Sequence, residues 1–202
     1  DSPPDVAHLR YEWRFTGRRE FNSLWFWDQR GLGTIRLYTP AEFEEQLGRG
    51  RLGPDALTMT LDDWRTGCSD ANRPIKVLLL DQRVAAGIGN LYASEILHRS
   101  AIHPEHRANR LTLRQLARMA VVVREVLEEA IRYEGSTLGD GTYRNALNKA
   151  GGYQNAHRVY AREDESCTTC GKGRIVRIVQ AQRSTFFCPR CQRLPRARAA
   201  GK

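Results

Sequence analysis

Two cysteine pairs, Cys167-Thr168-Thr169-Cys170 and Cys188-Pro189-Arg190-Cys191, stand 17 residues apart near the end of the chain. Two thiolates separated by two residues can hold one face of a tetrahedral ion, and a hairpin returns a second pair to complete it. Arg174–Gln180 and Ser184–Phe187 alternate in polarity as the two strands of that hairpin would. Four thiolates leave no open coordination position, so the spacing predicts one structural Zn2+ at Cys167, Cys170, Cys188 and Cys191. It would hold a segment too small to own a core. The rival pattern is two disulfides in a secreted protein. Against it stand the fifth cysteine, Cys68, and an acidic, Pro-rich start, Asp1-Ser2-Pro3-Pro4-Asp5, in which no secretory signal is visible. Cys68 itself reads as an inert core thiol.

Charge points to the same part of the chain. The 202 residues carry 32 Lys+Arg and 23 Asp+Glu, a net of +9, and only Lys76, Lys149, Lys172 and Lys202 are lysines. Residues 151–202 hold 11 basic and 3 acidic side chains, a net of +8, which leaves +1 for residues 1–150. Such a segment is the footprint of a polyanion, nucleic acid first and anionic membrane second. A solvated basic tail at Arg193–Lys202 is the bland alternative. Arg174, Arg177, Arg183, Arg190 and Arg193 surround the hairpin, and arginines on a rigid hairpin suit phosphate docking. No run approaches 18 apolar residues, so a membrane span is excluded. With 41% apolar residues the chain can bury a core.

Upstream, Leu9–Phe15 alternates strictly, Phe21–Trp27 is dense in aromatics, and Thr34–Tyr38 alternates again. Three short antiparallel strands are expected, followed by a helix at Pro40–Leu47 and a Gly-rich loop at 48–54. From about Leu57 to Gly135 the pattern turns helical. Thr60–Trp64 reads as a capped start, and Pro74 as a first-turn proline ahead of Ile75–Leu80. Thr112 and Gln115 have capping-box spacing, and Leu111 and Leu116 that of a hydrophobic staple. Leu116, Met119, Ala120, Val123, Val126, Leu127, Ala130 and Ile131 form a core stripe that Gly135 ends. Asp81–Leu97 reads as a helix, a Gly87-Ile88-Gly89 turn and a second helix from Asn90, whose free N–H groups could meet phosphate. Plain turn chemistry explains a lone Gly-x-Gly as well. The polar stretch Gly139–Asn155 has the length of a functional loop.

Other candidates are weaker. His103 and His106 read as surface histidines, His98 and His157 have no partner by spacing, and Asp62-Asp63 and Glu128-Glu129 read as solvated pairs. Neither a Ser-His-Asp constellation nor a Walker loop is present, and no residue stands out as an acid or base.

The string Gly87–Leu97, followed by Ala101-Ile102-His103-Pro104, resembles the helix–two-turns–helix of bacterial formamidopyrimidine-DNA glycosylases and their endonuclease VIII relatives. Gln180–Cys191, preceded by Val159-Tyr160-Ala161-Arg162, resembles that family's C-terminal zinc finger. Gly135-Ser136-Thr137-Leu138 is similar to the segment after its long helix, and Asp28-Gln29-Arg30-Gly31-Leu32-Gly33 falls where it carries Asp-Pro-Arg-Arg-Phe-Gly. The likeness runs from roughly Leu9 to Arg193. It implies an α+β fold in three parts: a partial antiparallel β-sandwich domain (1–55), a helix–two-turns–helix DNA-binding domain (56–150) and a zinc-ribbon β-hairpin with a basic tail (151–202).

The resemblance further implies base-excision repair of oxidised purines in duplex DNA, with cleavage at the abasic site by a monomeric, cytoplasmic, nucleoid-associated bacterial enzyme. By position, Arg30 matches the arginine facing the base opposite the lesion. Leu32 matches an aromatic wedge, and Gly31 replaces a second arginine. Asn90 and Arg183 match phosphate-gripping residues, Lys76 a lysine of the lesion-side grip, and Gly87 and Gly89 the turn before the phosphate-facing helix. Lys149 and Tyr153 fall in the loop over the extruded base. The family's nucleophile is an N-terminal proline within Pro-Glu-Leu-Pro-Glu, whose amine attacks the sugar carbon. Pro3-Pro4-Asp5 is not that motif, so no catalytic residue is assigned. The chain is expected to correspond to the C-terminal two-thirds of such an enzyme. The alternative function is a catalytically silent module that grips damaged duplex DNA.

Overall fold

The computed structural model describes residues 6–17, 20–28, 31–48, 51–136 and 151–194. Strand β1 (Leu9–Arg14) pairs antiparallel with β2 (Ser23–Trp27), placing Tyr11 opposite Phe26 and Trp13 opposite Leu24. Glu12 ties the pair together. Its carboxylate accepts from Ser23 Oγ at 3.1 Å and Trp25 Nε1 at 3.3 Å, and pairs with Arg14. The third expected strand does not form. Thr34–Tyr38 has no regular secondary structure and pairs with no strand among the described residues, and Leu37 is 98% exposed. Alternation supplies two faces for a strand, but a strand also needs a neighbour's backbone to complete its ladder.

Helix α1 (Pro40–Leu47) starts where Thr39 and Glu42 close a capping box. It lies alongside Thr34–Tyr38, with Phe43 and Leu47 largely exposed. Helix α2 (Leu61–Ser69) opens on a second capping box, Thr60 with Asp63, and buries Trp64 and Cys68. Burial pushes the Cys68 thiol up to about 11, so it is protonated and inert, as expected. Pro74 is the N-cap of the short α3 (Ile75–Leu79). Asp81–Ala85, read from sequence as helical, forms turns. The Asp81 carboxylate accepts from both Arg73 and Arg83, which holds it well below the usual carboxylate range. The second helix of the motif, α4 (Asn90–Arg99), follows Gly89.

The longest helix, α5 (Leu113–Arg132), has the Thr112–Gln115 capping box. It ends in a double hydrogen-bonded turn, with Gly135 N–H donating to Ala130 O at 2.8 Å and Glu134 N–H to Ile131 O at 2.9 Å. Glu134 and Gly135 both have left-handed φ, 56° and 80°, so the stop uses one residue more than the sequence suggests. The stripe faces inward with two differences. Val122 is buried, whereas Ile131 is 63% exposed although Ala130 beside it is in the core. Around α5 gathers one core from α2, α3 and α4, joined by Tyr153. The hairpin β3 (Val176–Gln180) and β4 (Arg183–Phe187) has a small cluster of its own. Among the described residues no helix is long and apolar enough to cross a membrane.

Candidate metal centre and nucleic-acid interface

The four Sγ atoms of Cys167, Cys170, Cys188 and Cys191 lie within 4.8 Å of one another. Cys167 and Cys191 are 3.8 Å apart, and Cys170 and Cys188 3.9 Å. A tetrahedron with metal–sulfur bonds of about 2.3 Å has edges of about 3.8 Å, whereas a disulfide is near 2.05 Å. The geometry is that of a zinc site, not of two disulfides. Gly173 is part of the cradle: a Cβ there would meet Cys188 Sγ at 2.6 Å.

The thiols also demand a cation. Backbone N–H groups of Lys172 and Gly173 hold Cys170 down to about 6, so it is a thiolate at neutral pH. Burial raises Cys188, and burial together with the neighbouring sulfurs raises Cys191. A dication in the centre reverses those penalties and is expected to displace the remaining protons. The apolar support is slight, namely Val159, Cys167, Ile175, Phe186 and Cys188, so the ion is structural.

Beside this hairpin lies a polar junction with the helical body. Lys76, in α3, is wholly buried. Its Nζ donates to Asn90 Oδ1 at 2.7 Å and to Thr185 Oγ1 at 3.1 Å, while Asn90 Nδ2 donates to Ser184 O at 3.0 Å. Burial first, and then the adjacent Arg183, lower Lys76 to about 8. Arg183 itself is exposed, next to the tight turn Ala181-Gln182, whose φ values of 46° and 59° are both left-handed. Gly87 has φ +100°, and a Cβ built on it or on Gly89 meets nothing within 4 Å, so this backbone faces open space. Gln82 braces the loop: Gly87 N–H donates to its Oε1 at 2.9 Å, and its Nε2 donates to Ile88 O at 3.1 Å. The sequence singled out Lys76, Gly87, Gly89, Asn90 and Arg183 by resemblance, and the fold gathers them. Gln82, Ser184 and Thr185 went unnoticed.

Leu32 is 73% exposed on a turn made by Asp28, whose carboxylate accepts from Gly31 N–H at 2.9 Å and Gly33 N–H at 2.7 Å. Arg30 and Lys149 lie outside the described residues, as does most of the expected base-covering loop. Tyr153 corrects an expectation. Its ring is fully buried, edge-on to Tyr92 and His157, and Arg99 Nη2 donates to its hydroxyl at 3.4 Å. It packs the core instead of presenting a face to a ligand, and burial raises its phenol above the usual value.

The histidines differ from expectation as well. His103 and His106 are buried, not on the surface, and Phe187 of β4 lies edge-on to His103. His157 Nε2 lies 2.9 Å from Ser136 Oγ, and His98 Nε2 3.5 Å from Cys167 Sγ. Glu129 is not merely solvated, since it pairs with Arg99 at 2.6 Å. Glu95, which sequence reading passed over, is fully buried and accepts the N–H groups of Arg158, Val159 and Tyr160 at 2.9–3.0 Å. Its neighbours Ala93, Ile96 and Leu97 were the available sign that this turn of α4 faces inward.

Comparison with known proteins covers both regions. Residues 52–141 match the formamidopyrimidine-DNA glycosylase H2TH domain, and residues 164–194 the zinc finger found in FPG and IleRS. A formamidopyrimidine-DNA glycosylase of Thermus thermophilus is 41% identical over 175 residues, 86% of this chain and 65% of that protein. The Bacillus licheniformis enzyme of that name is 37% identical over 195 residues, 96% of this chain and 68% of its own. This chain therefore spans about two thirds of these relatives' length. The crystal structure of MutM (Fpg) from Thermus thermophilus superposes with TM-score 0.80 at 38% identity, over 95% of this chain and 70% of that one. A complex of Lactococcus lactis Fpg with DNA containing an abasic site gives TM-score 0.78 at 29% identity, over 91% and 70%.

Proposed function

Since the chain belongs to the formamidopyrimidine-DNA glycosylase family, we propose that it grips duplex DNA carrying an oxidised purine or an abasic site, in the service of a base-excision glycosylase and abasic-site lyase. One observation carries this: Lys76, held by Asn90 and Thr185, lies within electrostatic reach of Arg183 from a separate element, and among the described residues no carboxylate pairs with Lys76. Two clustered cations are costly without an anion, and a DNA phosphate is the anion that completes them. Asn90 and Arg183 would meet that phosphate while Lys76 backs them from within. The open backbone at Gly87 and Gly89 lets the strand approach the N-terminus of α4. Leu32, held out on the Asp28 turn, would fill the stack left by an extruded base. Arg30 would face the opposite base, and Lys149 would approach the lesion.

The three parts, 1–55, 56–150 and 151–202, would then serve as wedge platform, strand grip and zinc-held clamp in a monomer at the bacterial nucleoid. A binding module without catalysis shares every one of these contacts. Anisotropy titration of duplexes with and without an abasic-site analogue tests the grip. Tighter binding to the abasic duplex is expected, and equal binding would overturn it. Borohydride treatment of the same complex separates the two functions, because a trapped adduct marks the lyase and binding without adduct the silent module. Arg183→Ala should weaken binding to all sequences and shrink the salt slope by about one phosphate's worth. An unchanged slope removes Arg183 from the grip.

A further inference from the structure

Helix α4 is fastened to the C-terminal segment at three levels. Asn90 reaches Ser184 at its start, Glu95 takes three backbone N–H groups in its middle, and His98 lies against Cys167 near its end. His98 is 3% exposed and three residues after Glu95, on the same helix face. Its two ring nitrogens have unlike surroundings. Nε2 is 3.5 Å from Cys167 Sγ, whereas Nδ1 is buried with no hydrogen-bond partner. A proton on Nδ1 would be a buried donor with nothing to receive it, while a proton on Nε2 points at a sulfur. Cys170 and Cys188 accept backbone N–H groups from inside their own turns, Lys172 with Gly173 and Arg190 with Cys191. Cys167 differs in meeting a side chain from another element.

We propose that His98 is a positioning residue of the zinc site, a neutral imidazole whose Nε2–H donates to the Cys167 thiolate and locks the metal-bearing turn to α4. Donors outside the ligand shell orient a ligand and tune its charge, and losing one typically costs 10–100-fold in metal affinity. Through this bond the zinc site would hold the far end of the helix whose first residue is Asn90.

The zinc-loaded full chain, labelled with 15N-histidine, gives the most direct test. Long-range proton–nitrogen correlation should show His98 protonated on Nε2, and protonation on Nδ1 overturns the proposal. In chelator competition, His98→Phe keeps the ring volume without the donor and should bind zinc 10–100-fold more weakly. His98→Gln retains an N–H and should recover part of the loss. Unchanged affinity in His98→Phe, or an equal fall in both variants, assigns His98 to packing alone and sinks the idea. Should His98→Phe lack the helical circular dichroism of the parent, the tautomer of the unsubstituted chain decides.

Discussion

The helical body and the zinc hairpin hold themselves together by different means. Around α5, 22 buried residues among those described form one cluster, enough apolar area for burial to be the main stabilising term. The hairpin cluster has five, two of them cysteines. Its backbone order therefore depends on the ion, and the helical body should be indifferent to it. Yet the polar residues that matter to both, Lys76, Asn90, Glu95 and His98, lie where the two meet. Neither region owns the site.

Cys188→Ser presses hardest on this contrast. It should abolish zinc binding and, with it, duplex binding, because structural zinc contributes about 10–16 kcal/mol in isolated finger peptides. The helical far-UV signal should persist. Duplex binding that survives metal loss would assign the grip to the basic tail instead of the hairpin. Met119→Ala attacks the other side. It should cost about 2–5 kcal/mol in denaturant unfolding, with the zinc content of the folded protein unchanged. Glu95→Gln tests the seam. One carboxylate serves three backbone N–H groups, so the loss of charge should cost about 1–3 kcal/mol and loosen zinc as well. An effect confined to either region would show the seam to be weaker than its hydrogen bonds suggest.

The smallest effect concerns pH. Lys76 is lowered in the fold to about 8 from 10.5, so folding disfavours its charged form. Below about pH 8 that penalty is complete, and it fades as pH rises towards 10.5, where the unfolded chain also loses the proton. Stability should therefore rise across this window relative to Lys76→Met. Parallel pH profiles for the two proteins would refute the burial of the charge.

What the sequence made legible was local. The caps at Thr60 and Thr112, the cysteine spacing and the period of α5 each lie within a few residues, and each has its structural counterpart. Partners distant in sequence were not legible. Glu95 meets residues 63 to 65 positions later, and Lys76 meets Thr185 across 109. His103 looked like a surface residue because the strand that packs against it comes some 80 residues on. Thr34–Tyr38 failed in the opposite sense, since its pattern is clear but no strand among the described residues pairs with it. Among the candidate site residues, resemblance singled out buried Lys76 as well as exposed Leu32 and Arg183, and chemistry alone would not have put Lys76 beside Asn90.

The buried carboxylate of Glu95 also bears on how the protein is made. On a ribosome, Glu95 emerges with α4 while the N–H groups that neutralise it are still unsynthesised. At bacterial elongation rates of about 5–20 residues per second, those groups follow roughly 3–13 s later, and the last metal ligand, Cys191, comes later still. Until then α4 has an apolar face ready to pack and a charge that resists packing. The seam between α4 and the C-terminal segment can therefore close only once residues 158–160 have been made, after the helices that form the core are already present.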